Sequence, residues 1–232
     1  MTTAELLARR EALMGAGAPI FYDEPVHLVR GEGVWVWDAD GRQYLDVYNN
    51  VPHVGHCHPR VVEAIARQAA TLNIHTRYVD ETILDYTENL VSSFDPELTT
   101  AILTCTGSEA NEVALRMARH VTGAQGIICT DCAYHGNTEA VWELATCMPG
   151  GGGSERVRAC VPPDSYRPPE GVAPDARGAW YADRVQDVID SFHRDGMGVA
   201  GIVLCTIFGS EGIPMLPPDY LELAVERVRA AG

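Results

Sequence analysis

Thr104-Cys105-Thr106-Gly107-Ser108-Glu109-Ala110-Asn111-Glu112 is the stretch on which the fold turns. The run leading into it, Ala101-Ile102-Leu103-Thr104-Cys105, is apolar enough for a buried strand, and Gly107 permits a tight turn. Ser108 then opens a helix that the apolar spacing carries to about His120. A strand, a glycine turn and a helix in that order make one βα unit. Backbone N–H groups at such a helix start, with the hydroxyls of Thr106 and Ser108 beside them, form an anion site suited to a phosphate. A plain serine N-cap, with Glu112 near the first turn, accounts for the same residues.

The rhythm continues C-terminally. Gly126 to Cys129 reads as the next strand and about Asn137 to Ala145 as the next helix. A strand over Val157–Val161, an irregular proline-rich loop from Pro162 to Pro174, and a helix from about Trp180 to Arg194 follow. Then come a strand over Val199–Cys205 and a last helix starting at Pro217 or Pro218. Buried strands alternating with helices predict an α/β fold, a mostly parallel sheet with helices on both faces. The turn after the Gly126 strand holds Ala133-Tyr134-His135-Gly136. An aromatic at that edge, one βα unit after a phosphate site, suits stacking on a planar ring, although an ordinary loop tyrosine fits equally well in isolation. Both turns should open on one crevice, which points to a phosphorylated, flat aromatic ligand.

N-terminal to these units the pattern differs. Residues 3 to 14 read as a short amphipathic helix ended by Gly15-Ala16-Gly17. Residues 27–30, 34–37 and 43–45 alternate like short strands, with Asp40-Gly41 as a type I′ turn between the second and third. Pro59 opens a helix to about Thr71, and another runs from about Glu81 to Ser93. A small antiparallel meander before an α/β region is the expectation.

Composition narrows the function classes. The 232 residues are 46% hydrophobic and 21% charged, as in a soluble globular protein with a real core. No apolar run approaches the ~20 residues of a membrane helix, and no secretory signal opens the chain, so the cytoplasm is the default expectation. A net charge of -15 argues against nucleic acid, which needs a basic stripe. The seven cysteines are odd in number and sit mostly in strand-like runs, which suits buried, reduced thiols. Cys129 and Cys132 have redox-motif spacing but begin inside a strand, and His53, His56, Cys57 and His58 have no acidic partner nearby to favour a metal. Trp35 and Trp37 share a strand face, the usual sign of packing. All seventeen basic residues are arginine. With no lysine in the chain, its side chains offer no amine nucleophile.

Thr106 to Glu112 followed by Tyr134-His135-Gly136 resembles the cofactor-binding pair of class-III, fold-type-I aminotransferases. The resemblance extends from Phe21 through Gly31-Glu32-Gly33, Gly55-His56-Cys57-His58-Pro59 and Pro217-Pro218-Asp219-Tyr220-Leu221. It implies pyridoxal 5'-phosphate as cofactor, with Thr106, Gly107 and Ser108 at its phosphate, Tyr134 stacked on its ring and His135 beside it. Residues 1–75 would then form an N-terminal α+β segment of the small domain, and residues 76–232 the first, incomplete part of the cofactor-binding large domain. Asn49 to His56 and Thr76-Arg77-Tyr78 look closest to a subgroup with phosphoethanolamine phospho-lyases. By that resemblance Asn50 and Arg77 are substrate-binding, Arg77 near a substrate phosphate; an ion pair to Asp80 or Glu81 is the plainer role for Arg77.

The resemblance implies amino transfer between an amine or amino acid and a keto acid, by a homodimer. It also implies a lysine that holds the cofactor and an acid at its ring nitrogen, both further along than the helix ending at Gly232. The chain stops where an α/β domain would enter another strand, so it reads as an incomplete domain, inactive alone. Many members carry an acid in the strand and loop that here read Leu204 to Gly209, whereas Cys205 and Thr206 are uncharged and Glu211 comes later. Three other readings stay open: a phospho-lyase, a non-catalytic remnant pairing through its sheet edge, and a nucleotide-binding domain, for which no G-x-G-x-x-G or P-loop lysine is present.

Overall fold

A computed structural model describes residues 1–232, which divide into two units, Met1–Tyr86 and Thr87–Gly232. The first begins with helix α1, Thr3–Met14, whose start is fixed by a capping box between Thr2 and Glu5. Strands β1 (Leu28–Glu32), β2 (Trp35–Asp38) and β3 (Gln43–Leu45) pair antiparallel in sequence order, the meander expected from the alternation. The β2–β3 turn is not type I′. That geometry needs positive φ at both central residues, and here only Gly41 (φ 83°) has it. Asp38 makes the difference: its carboxylate accepts the N–H groups of Asp40 and Arg42 and the hydroxyl of Tyr44, so the side chain builds a longer loop.

Helix α2 spans Pro59–Thr71, with proline in the first turn where no N–H is needed. Helix α3 spans Glu81–Val91, so the boundary between the units falls within it. Neither α2 nor α3 buries a residue. Trp37 packs beneath the Arg30 guanidinium, 4.2 Å from its ring centre, whereas Trp35 is exposed.

The second unit is built on a parallel three-stranded sheet in the order β5-β4-β6: Val157–Cys160, Gly126–Thr130 and Val199–Ile202. All five residues of β4 are buried, as a central strand covered on both faces requires. Ile128 faces a core formed with α6 (Arg177–Arg194) and α7 (Tyr220–Ala230). Ile127 and Cys129 face the opposite core, which includes Leu115 of α4 (Gly107–Thr122) and Val141 of α5 (Glu139–Trp142). The α/β arrangement expected from the sequence is therefore present.

Four details differ. Residues 101–105 are not a strand; they run unpaired, with Ile102 and Leu103 exposed, because β-propensity without a neighbouring ladder does not make one. Helix α5 is a single turn, its expected continuation replaced by tight turns around buried Leu144 and Ala145. Strand β6 ends at Ile202 rather than at Cys205. Helix α7 starts at Tyr220, two residues after Pro218, because Asp219 sits in the left-handed region (φ 63°) and cannot be part of a right-handed helix.

The thiols are also less buried than expected. Cys57, Cys105, Cys132 and Cys147 are exposed, Cys205 is half-buried, and only Cys129 and Cys160 are buried; none is in a disulfide. Burial pushes the thiols of Cys129 and Cys160 each up to about 12. Iodoacetamide at pH 8 should therefore label the four exposed cysteines and leave Cys129 and Cys160 untouched until denaturant is added. Peptide mass mapping checks this, and labelling of Cys129 in the folded chain would contradict the packing of β4.

Candidate cofactor site

The two turns singled out from the sequence meet in the second unit. Thr106 caps α4, its hydroxyl accepting the Glu109 N–H at 3.1 Å. The Glu109 carboxylate turns back to the Cys105 N–H at 2.8 Å. The plain capping role is therefore filled by Thr106, not Ser108. Helix α4 runs for 16 residues from this cap, so its start carries both orphan N–H groups and the positive end of the helix dipole.

Ser108 is occupied on one side only. Its Oγ accepts the Asn137 N–H at 3.0 Å, and its own proton is given to no protein group. Two further contacts fasten the second turn to the first, and a third holds the second turn together. The Asn111 side-chain amide donates to the His135 carbonyl at 2.8 Å, the Thr138 hydroxyl to the Ser108 carbonyl at 3.4 Å, and the Tyr134 hydroxyl to Asn137 Oδ1 at 2.9 Å. Gly136 makes the close approach possible. With φ at 139°, a Cβ there would lie 2.5 Å from Ser108 Oγ. A Cβ on Gly107, by contrast, would meet nothing within 4 Å, so space is open there at the helix start.

His135 is half-buried and its Nε2 has no partner. Burial pulls its pKa below the ordinary 6.5, and the Glu211 carboxylate opposes the shift. Glu211 was passed over in the sequence because it lies outside the expected acidic positions. Folding returns it to the C-terminal end of β4, where it accepts the buried Thr130 hydroxyl and keeps Oε2 without a partner. Nothing local signals that contact, which joins residues 81 apart.

This arrangement has a pH consequence. An unfolded chain protonates His135 near 6.5, whereas the folded one resists, so the folded state loses stability as pH falls through 6.5 toward the lowered native value. Urea midpoints at pH 7.5 and 5.5 should separate less in His135→Gln than in the unaltered chain. Glu211→Gln should lower the His135 pKa further, read from its ring proton shifts; a rise would contradict the placement of Glu211.

The other named residues lie in the first unit. Asn50 is exposed and follows a loop organised by Asp46, which accepts the N–H groups of Asn49 and Tyr48, the Asn49 amide and, at 2.7 Å, His56 Nε2. Those contacts, the Asn49 N–H first, hold the Asp46 carboxyl well below the usual carboxylate range. Arg77 is exposed, its N–H bonded to His75 Nδ1 at 3.1 Å, and its guanidinium forms no ion pair with Asp80 or Glu81.

A sequence profile for aminotransferase class-III matches residues 21–229. The chain belongs to the class-III aminotransferase family. An alanine–glyoxylate aminotransferase 2-like protein of Drosophila melanogaster is 34% identical, aligned over all of this chain and 49% of its own. An ethanolamine-phosphate phospho-lyase homolog of Caenorhabditis elegans is 32% identical over 98% of this chain and 52% of its own. Among solved structures, a phospholyase from Arthrobacter in complex with phosphoethanolamine is 43% identical, with a TM-score of 0.90 over 97% of this chain and 54% of that one. The chain spans about half the length of the curated relatives it matches. Its fold is that of fold-type-I transaminases, and no helix is long and apolar enough to cross a membrane.

Proposed function

We propose that this chain carries the phosphate-binding and ring-stacking part of a pyridoxal-5'-phosphate-dependent aminotransferase, acting in amino transfer between an amine or amino acid and a keto acid. The observation that carries the reading is the joining of the two turns through Ser108 and Asn137. Thr106 caps α4, the N–H groups of Gly107 and Ser108 and the Ser108 hydroxyl would hold the cofactor phosphate, and Tyr134 would stack on its pyridine ring. His135, kept neutral by burial, sits beside it. When bound, the cofactor supplies the electron sink for carbon chemistry next to an amine. The residues here bind and orient it, with the helix dipole favouring its phosphate charge.

The chain has no lysine, so the amine that anchors the cofactor and moves a proton must come from another polypeptide segment. Given pyridoxal 5'-phosphate, an amine and a keto acid, this polypeptide alone should turn over nothing; measurable turnover by it alone sinks the reading. A homodimer and a cytoplasmic location go with the same proposal.

A second reading is favoured by two observations. The 43% identity to a phospholyase bound to phosphoethanolamine, together with an unpaired Arg77 guanidinium, suits phosphate elimination from a phosphorylated amino alcohol. An enzyme in which the lysine-bearing segment completes this chain decides between them. Inorganic phosphate released from phosphoethanolamine marks a lyase, and consumption of a keto acid marks a transaminase.

A further inference from the structure

We propose that Asn137 is a positioning residue for the cofactor, setting the Tyr134 ring against the phosphate cradle. The inference rests on the function proposed above and adds a residue that neither family motif contains. Asn137 faces both halves of the site. Its backbone N–H donates to Ser108 Oγ at 3.0 Å, and its side-chain Oδ1 accepts the Tyr134 hydroxyl at 2.9 Å.

These two bonds do different things. A hydroxyl that accepts from Asn137 on one side directs its own proton elsewhere, and the open space at the start of α4 is where an acceptor oxygen fits. Tyr134 is 40% exposed, so packing alone leaves its ring free to turn. The bond from its hydroxyl to Asn137 fixes the second end of the ring. Because that anchor rides on the backbone that touches Ser108, phosphate and ring are held at one separation and one angle. Such preorganisation improves binding by removing a rotor that the ligand would otherwise have to freeze. Asn137 itself is exposed, so its side chain contributes little to folding.

The test uses pyridoxamine 5'-phosphate, which needs no lysine, and inorganic phosphate, which has no ring. Titrations of the unaltered chain, Asn137→Ala, Tyr134→Phe and the double variant give the four dissociation constants of a cycle. Each single change deletes the same hydrogen bond and should weaken pyridoxamine 5'-phosphate by about three- to tenfold, with the double variant no weaker than the weaker single. Phosphate binding should stay within about twofold in Asn137→Ala, since the backbone N–H remains. The circular dichroism induced in the bound pyridine ring should change, while the melting midpoint without ligand stays put. Additive losses in the double variant, or an equal loss of phosphate and pyridoxamine 5'-phosphate in Asn137→Ala, overturn the positioning role. An unaltered chain that binds neither ligand overturns the proposed function and this inference with it.

Discussion

Gly178→Ala should cost the second unit about 3 kcal/mol or more, the largest single-residue loss expected in this chain. Gly178 lies in the first turn of α6, buried where α7 begins. A Cβ there would stand 2.0 Å from the Pro218 carbonyl oxygen and 3.2 Å from the Tyr220 nitrogen. Both are backbone atoms, so no side chain can swing away, and the start of α7 must move. What moves with it is the core: Tyr220 and Ala224 are fully buried, and the Tyr220 ring lies against Tyr181 and Phe208 with centres 6.3 and 6.4 Å apart. Gly201→Ala is the control. Its Cβ would meet nothing within 4 Å and its φ is ordinary, so stability should stay within about 0.5 kcal/mol. Urea denaturation of the three chains checks the pair, and a Gly178→Ala chain as stable as the unaltered one would mean that α6 and α7 do not pack as described.

Gly136→Ala should be the most damaging change at the candidate site. The methyl would fall 2.5 Å from Ser108 Oγ and 2.9 Å from Ser108 Cα, at a φ of 139° that side chains rarely adopt. Relief requires the turn to withdraw from α4, which breaks the Asn137 N–H bond to Ser108 and strains the Asn111 bond to the His135 carbonyl. Strained backbone and the lost hydrogen bond to Ser108 together should cost about 2–3 kcal/mol of stability. Affinity for pyridoxamine 5'-phosphate should fall by more than about tenfold, the loss of one charge-assisted contact plus misplacement of the ring. Titration calorimetry with denaturation of the same variant separates the two effects. Unchanged affinity would mean that the Ser108–Gly136 contact does not shape the site.

How much of this was legible in the sequence differs element by element. Helix α2 was readable to its last residue, because a proline start and an apolar period are local signals. The turn glycine was readable for the same reason, but the cap was misplaced by two residues: the helix start reads as a serine cap at Ser108, whereas Thr106 supplies it. Residues 101–105 misled because a strand is a relation between segments: the apolar run is real, but no segment of this chain pairs with it. The Asp40-Gly41 turn misled because the Asp38 side chain outweighed the dipeptide preference. The contacts of Glu211 and Asn137 with Thr130 and Ser108 were invisible for a third reason. Their partners lie 81 and 29 positions away, and only the crossing of β4 with the loops after it brings them together. The exposure of Cys57, Cys105, Cys132 and Cys147 belongs with these, since thiol burial follows tertiary packing and not the apolar character of neighbours.

The central claim is that the two turns bind one phosphorylated pyridine. Backbone amide spectra of the unaltered chain, recorded while pyridoxamine 5'-phosphate is added, test it most directly. The largest shifts are expected at Gly107, Ser108 and Glu109 and at Tyr134, His135 and Gly136, saturating together with one dissociation constant. Shifts confined to other residues, or the absence of saturable shifts at these six, would contradict it.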